Sequence, residues 1–199
     1  MKILVTAFDP FGGEPVNPAQ LAVAQLPAVI GGAEICRVVV PTVFEKAANE
    51  ALRAMREEKP GAVVCVGQAG GRAAVTPERV AINVADARID DNEGNRPVDQ
   101  TIAEDGPAAY FSTLPVRAMV EAVRALDLPA EISNTAGTFV CNDLMYRVCH
   151  HFAGTDVPCG FIHVPFLPEQ TADKPDKPSM PLADIVRALT AAIETLTKS

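Results

Sequence analysis

The sequence predicts a single-domain α/β protein, a three-layer α/β/α sandwich around a mostly parallel, twisted sheet. Three observations carry that prediction. The runs "KILVTAF" and "AVVCVG" are strand-sized and apolar without alternation, as strands buried on both faces are. Stretches with apolar residues at helical spacing lie between such runs. The two kinds of segment follow one another with no inter-domain linker and no internal repeat, so residues 1–199 form one domain.

The elements follow in order. Residues 2–8 form the first strand. Asn17 precedes Pro18, an N-cap followed by proline at the first helical position, and that helix ends before Pro27. "EICRVVV" is a second strand. Thr42 is expected to cap the next helix, which carries Phe44, Ala47, Ala48, Ala51, Leu52 and Met55 and ends before Pro60. Residues 62–67 are a buried strand. In "ERVAINVADARI", Val80, Ile82 and Val84 alternate like a strand. Residues 90–115 are polar and rich in Asp, Asn, Gly and Pro, and read as a surface excursion or lid. A helix with Val116, Met119, Val120, Val123 and Leu126 comes next, then the short strand "AEIS" and a helix beginning near Cys141. "CGFIHVPF" is the last strand. A proline-rich loop leads to a final helix carrying Leu182, Ile185, Val186, Leu189, Ile193 and Leu196 on one face.

Composition narrows the function. With 48% hydrophobic residues the chain can bury a full core. It has 17 basic against 25 acidic residues, a net charge of −8, and no basic run longer than two, which disfavours a nucleic-acid backbone as partner. The apolar runs are too short to span a bilayer, and the N-terminus lacks a signal peptide's apolar region. Five cysteines without a C-x-x-C point to reduced thiols, so a soluble cytoplasmic protein is expected.

In parallel α/β folds ligands bind beyond the carboxyl ends of strands. The residues there include Phe8, Phe11, Thr42, Gln68, the 136–141 turn and His163. Cys36 and Cys65 lie within apolar runs and read as inert core thiols, and Cys159 as structural. "CHH", residues 149–151, suggests a metal, but consecutive helical residues point in different directions and do not converge on one ion. Cys141 stands apart. At a helix start its sulfur faces unpaired N–H groups and the positive end of the helix dipole, which favours thiolate. By position it is either a nucleophile or a residue that merely begins a helix. Of the three histidines, His150 and His151 lie about 14 Å along the same helix, too far for a hydrogen bond. His163 remains as the base, against the ordinary reading of a histidine in an apolar strand. Glu78 is either an exposed strand end or the carboxylate that orients His163.

The glycine-rich stretches "DPFGGEPVNPA" and "GQAGGR" match neither the dinucleotide fingerprint nor the P-loop. Two phenylalanines and backbone groups at a strand end suit a small, flat, uncharged ligand better.

Taken together, "TAFDPFGGEPVNP", "GQAGGR…TPERVAINVADARIDDNEGN", "SNTAGTFVCN" and "GFIHVPFLPEQ" resemble, in order and over nearly the whole chain, the pyroglutamyl peptidase I (pyrrolidone-carboxylate peptidase) family of cysteine peptidases. The resemblance implies a nucleophile at Cys141, a base at His163 and an orienting carboxylate at Glu78. It implies a ring pocket from Phe8, Phe11, Asn17, Thr42, Gln68 and Val140. It places Arg88 near the oxyanion, alongside the Cys141 backbone N–H. It implies removal of N-terminal pyroglutamate through a thioester, with no metal or cofactor, by a protein that assembles as a homotetramer or another homo-oligomer. Two rivals stay open: a cysteine-dependent amidase for other small cyclic amides, and a non-enzymatic peptide-binding module.

Overall fold

The computed structural model describes residues 1–198. Its elements are β1 (Lys2–Phe8), α1 (Pro18–Ala24), β2 (Val29–Ile30), β3 (Ala33–Val40), α2 (Lys46–Glu58), β4 (Ala62–Gln68), β5 (Thr76–Pro77), β6 (Val80–Ile82), β7 (Ala109–Phe111), α3 (Val116–Arg124), α4 (Val140–His151), β8 (Cys159–Val164) and α5 (Leu182–Glu194). The main sheet has the order β2-β3-β1-β4-β8-β5. Its four central strands are parallel, and the short edges β2 and β5 are antiparallel. A separate hairpin joins β6 and β7.

The layering follows from strand alternation. Ile3, Val5 and Ala7 of β1 face one core with α1, α3 and α5. Leu4 and Phe8 face the other, with α2 and α4. On β8, Phe161 faces the α2/α4 side and Ile162 the opposite side. His163, two residues beyond Phe161, therefore points toward α4.

Several local expectations are corrected. Thr42 does not cap α2. Its N–H donates to Asp9 Oδ1 at 2.7 Å and its hydroxyl to the Asp9 carbonyl at 3.1 Å, tying the ends of β1 and β3 together. The helix begins later, at Lys46, preceded by Glu45 at φ 61°. Carboxylates from distant segments serve the backbone there: Asp91 accepts from Phe44 N–H at 3.0 Å and Asp143 from Glu45 N–H at 3.1 Å. "AEIS" forms no strand, only isolated bridges from Ala130 to Val75 and from Ser133 to Glu78. Val84 lies outside β6. Residues 90–115 lie largely at the surface, as expected, but are tied down. They contain β7, and Asn83 pins them by accepting from Ile102 and Ala103 N–H groups at 3.0 and 2.9 Å.

Candidate active site

The site is assembled where β4 and β8 end side by side. Their register sets His163 beside Gly67. α4 starts above them at Val140, after a turn in which Gly137 adopts φ 79°, a conformation open to glycine at little cost. Cys141 is the second residue of that helix. A Cβ on Gly67 would lie 3.1 Å from Cys141 Sγ and 2.7 Å from Phe161 Cζ. The sulfur therefore rests over bare backbone, on the strand next to His163 and level with it.

Glu78 follows β5. Its N–H donates to the Phe161 carbonyl at 2.8 Å, and its bridge to Ser133 holds it beside the loop that leads to α4. Its side chain is 0% exposed, which removes the exposed-strand-end reading. Glu78 Oε1 lies 2.7 Å from His163 Nδ1. An ionised carboxylate only accepts, so Nδ1 carries the proton and Nε2 keeps its lone pair. The imidazole also packs 4.7 Å, centroid to centroid, from the Phe161 ring.

The electrostatics depart from one expectation. Burial pushes the Cys141 thiol up to about 12, and the nearby negative Glu78 adds to the rise. These effects outweigh the helix start, so the resting sulfur is a thiol. Cys141 keeps some exposed surface, but the sulfur itself lies inward over Gly67. Burial lowers His163 below the ordinary histidine value although Glu78 opposes it. Burial alone would raise Glu78; its partners, His163 first, hold it below the usual carboxylate range. The arrangement at neutral pH is thus thiol, neutral imidazole and carboxylate.

The remaining expected residues divide. Phe11 packs 6.2 Å from the Phe139 ring, and Phe44 meets the same ring edge-on at 5.3 Å, so three aromatics gather at the start of α4. Phe8 is 2% exposed and packs in the core against Phe161. Asn17 uses both ends of its amide structurally, accepting from Ala19 N–H and donating to the Asp9 carbonyl, each at 3.0 Å. Thr42 is likewise committed to Asp9. Gln68 Oε1 accepts from Gln170 Nε2 at 3.1 Å. Val140 is fully buried. Arg88 is exposed, and among the described residues its guanidinium has no hydrogen-bond partner. The Cys149–His151 run diverges: Cys149 faces Cys159, His150 bonds Tyr110, and His151 packs on Phe152.

Three residues were missed from sequence. Phe139 stands two positions before Cys141. Asn142 anchors α4 to the β6 segment, accepting from Ile82 N–H at 2.9 Å and donating to the Ile82 and Val84 carbonyls. Arg72 pairs with Glu78 at 2.6 Å. Each lies inside a quoted motif, but their long-range partners have no sequence signal. Two cavities, of about 590 and 810 Å³, lie elsewhere; neither is lined by Cys141, His163 or Glu78.

Comparison with known proteins agrees over the full length. A family profile described as "Pyroglutamyl peptidase" matches residues 1–199. The chain is 59% identical over 196 residues to a pyrrolidone-carboxylate peptidase of Streptococcus suis, covering 97% of this chain and 91% of that one. It is 57% identical over 195 residues to one from Alkaliphilus oremlandii, covering 97% and 92%. The crystal structure of Bacillus amyloliquefaciens pyroglutamyl peptidase I superposes with a TM-score of 0.95 at 46% identity, covering 100% of this chain and 97% of that one. By profile, sequence and fold, the chain belongs to the pyroglutamyl peptidase family, a family of hydrolases.

Proposed function

We propose that the protein removes N-terminal pyroglutamate from peptides, with Cys141 as nucleophile, His163 as base and Glu78 as its orienting carboxylate. The observation that carries this reading is the His163–Glu78 bond of 2.7 Å beside a sulfur seated over Gly67. His163 Nε2 takes the Cys141 proton, and sulfur attacks the carbonyl that joins pyroglutamate to the next residue. Because the resting thiol sits near 12, this transfer accompanies attack; no thiolate waits beforehand. The N–H groups at the start of α4, that of Cys141 among them, have no intrahelical acceptor and receive the oxyanion. Arg88, exposed and without a hydrogen-bond partner among the described residues, is our candidate for a second donor. The imidazolium then protonates the leaving amine. Water, activated by His163, cleaves the thioester and releases pyroglutamate.

The ring is flat and uncharged, which suits the Phe11–Phe139 aromatic group. We assign Phe8, Asn17, Thr42, Gln68 and Val140 to the same ring pocket, supported by their place at or beyond the carboxyl ends of β1, β3 and β4 and at the start of α4. We also place the protein in a reducing, cytoplasmic setting, supported by five free cysteines, and as a homo-oligomer. The first test is hydrolysis of a pyroglutamyl-coumarin amide. Wild type should release coumarin, and Cys141→Ala and His163→Ala should not. Binding without turnover would indicate a peptide-binding module, and undiminished turnover by Cys141→Ala would overturn the nucleophile.

A further inference from the structure

We propose that Arg72 is a positioning residue for the reaction: its guanidinium holds Glu78 as an anion beside neutral His163 and ties that pair to the loop that delivers Cys141. The proposal rests on the reading above and adds a fourth residue to it. Arg72 lies in "GQAGGR", the glycine-rich stretch that matches no phosphate motif.

The geometry is a fork. Arg72 Nη1 donates to Glu78 Oε1 at 2.6 Å, the same oxygen that accepts from His163 Nδ1 at 2.7 Å. Nη1 also donates to Thr76 Oγ1 at 2.6 Å. Nη2 reaches across to the Thr135 carbonyl at 3.1 Å. Thr135 in turn accepts from Gly137 N–H through its hydroxyl at 3.1 Å, within the turn that enters α4. One planar group thus spans the carboxylate and the approach to the nucleophile. A lysine ammonium, a point charge on a flexible stem, lacks that fork.

Burial explains why a permanent cation is needed. The Glu78 side chain is 0% exposed, and among the described residues its Oε2 has no hydrogen-bond partner. An isolated buried carboxylate is strongly disfavoured. With His163 as sole partner, the pair would be best satisfied by taking a proton and forming imidazolium, which cannot act as a base. Arg72 is always charged and supplies the compensation without that proton. The charged and titratable groups facing the pair are Arg72 from the β4–β5 loop and Cys141 from α4, with Cys65 of β4 behind the thiol. Arg79 is turned away, onto Asn134. Arg72 also depresses both the His163 and the Cys141 pKa.

Purified full-length wild type, Arg72→Gln, Arg72→Lys and Arg72→Ala are compared by kcat and KM on the pyroglutamyl-coumarin amide across pH. Cys141 alkylation by iodoacetamide, followed by peptide mapping, is measured over the same range. Arg72→Gln should lose about 10²-fold in kcat/KM, mostly in kcat, the lower end of what a positioned base contributes. Its acid limb and its alkylation profile should both move up by about one pH unit, as expected for loss of one adjacent charge. Arg72→Lys should keep the wild-type acid limb yet lose kcat, and guanidinium ion should partly restore Arg72→Ala. An unshifted limb in Arg72→Gln, without guanidinium rescue of Arg72→Ala, would reduce Arg72 to a loop staple and overturn the proposal. If Arg72→Gln does not fold, Arg72→Lys decides, and wild-type kcat there refutes the tether. A wild type inactive on the amide would sink the peptidase reading instead. The alkylation profile needs no substrate and still tests Arg72 alone.

Discussion

At the residue scale, Gly67 is as specific to this site as the charged groups. A methyl there would meet Cys141 Sγ at 3.1 Å and Phe161 Cζ at 2.7 Å, with the strand backbone unable to retreat. Gly67→Ala should lower stability by about 1–3 kcal/mol, the usual cost of overpacking. It should also depress kcat far more than KM if, as proposed, the displaced sulfur is the attacking atom. Steady-state kinetics and thermal melting check both, and wild-type kcat would mean that the sulfur reacts from another rotamer. Glu78→Gln keeps the shape but loses the charge and can present an N–H to Nδ1, which favours the wrong imidazole tautomer. A loss of roughly 10⁴ in kcat with a smaller change in KM is expected by analogy with triads in which the orienting acid is amidated. In the proposed mechanism neutral His163 is the active form, and burial lowers its pKa. The acid limb of kcat/KM should therefore lie below that of free histidine. Linkage has the same sign. The unfolded histidine binds its proton first as pH falls, so His163 contributes a loss of stability beginning near the unfolded value. Glu78, lowered in the fold, adds stability present above its unfolded pKa and lost as pH falls toward its folded one.

At the element scale, caps with local partners were legible and caps with distant partners were not. α1 was readable because Asn17 accepts from Ala19 N–H, two residues on. Asn17→Ala should cost about 1–2 kcal/mol, the upper range for a lost cap, since the bond to the Asp9 carbonyl goes with it. Denaturant melts measure that loss, while KM for the coumarin amide reports separately on any part Asn17 plays in the ring pocket. The start of α2 misled because its carboxylates come from Asp91 and Asp143, 47 and 98 positions from the groups they serve. A threonine before helical spacing is an ordinary cap signal. Here Asp9 engages it first. The segment after residue 90 read as polar and therefore peripheral. Most of it does lie at the surface, but Asp91 within it turns inward: it is 6% exposed and accepts from Glu93 and Asn95 N–H groups, each at 2.9 Å.

At the scale of the whole molecule, the parallel sheet does the assembling. Parallel strands all end at one edge, so β4 delivers Gly67 and β8 delivers His163 to the same place. β5 then turns back along β8 and sets Glu78 beneath them. The thiols are distributed accordingly, and all five are free in the fold. Titration in denaturant without reductant should count five, and fewer would contradict the reduced state. Specificity is also a property of the assembled site. Pyroglutamyl amides should be cleaved and prolyl and glutamyl amides rejected, since a site that pairs a lactam leaves its own groups unpaired against proline. Discrimination of roughly 10⁴ or more in kcat/KM is expected for such an absent partner. Comparable values would redefine the enzyme as a general imino-peptidase.

The sequence by itself determined the α/β class, the placement of most strands and helices, and the short set of residues able to carry the chemistry. Those depend on local periodicity, on chemical type and on the rarity of histidine. Only the tertiary structure decided that Glu78 is buried on His163 rather than exposed at a strand end. It alone decided that Cys141 rests as a thiol, and that Arg72 bridges the carboxylate to the loop before α4. The reason is physical. Burial and charge pairing depend on distances between segments far apart in the chain, and strand register, not residue type, sets those distances.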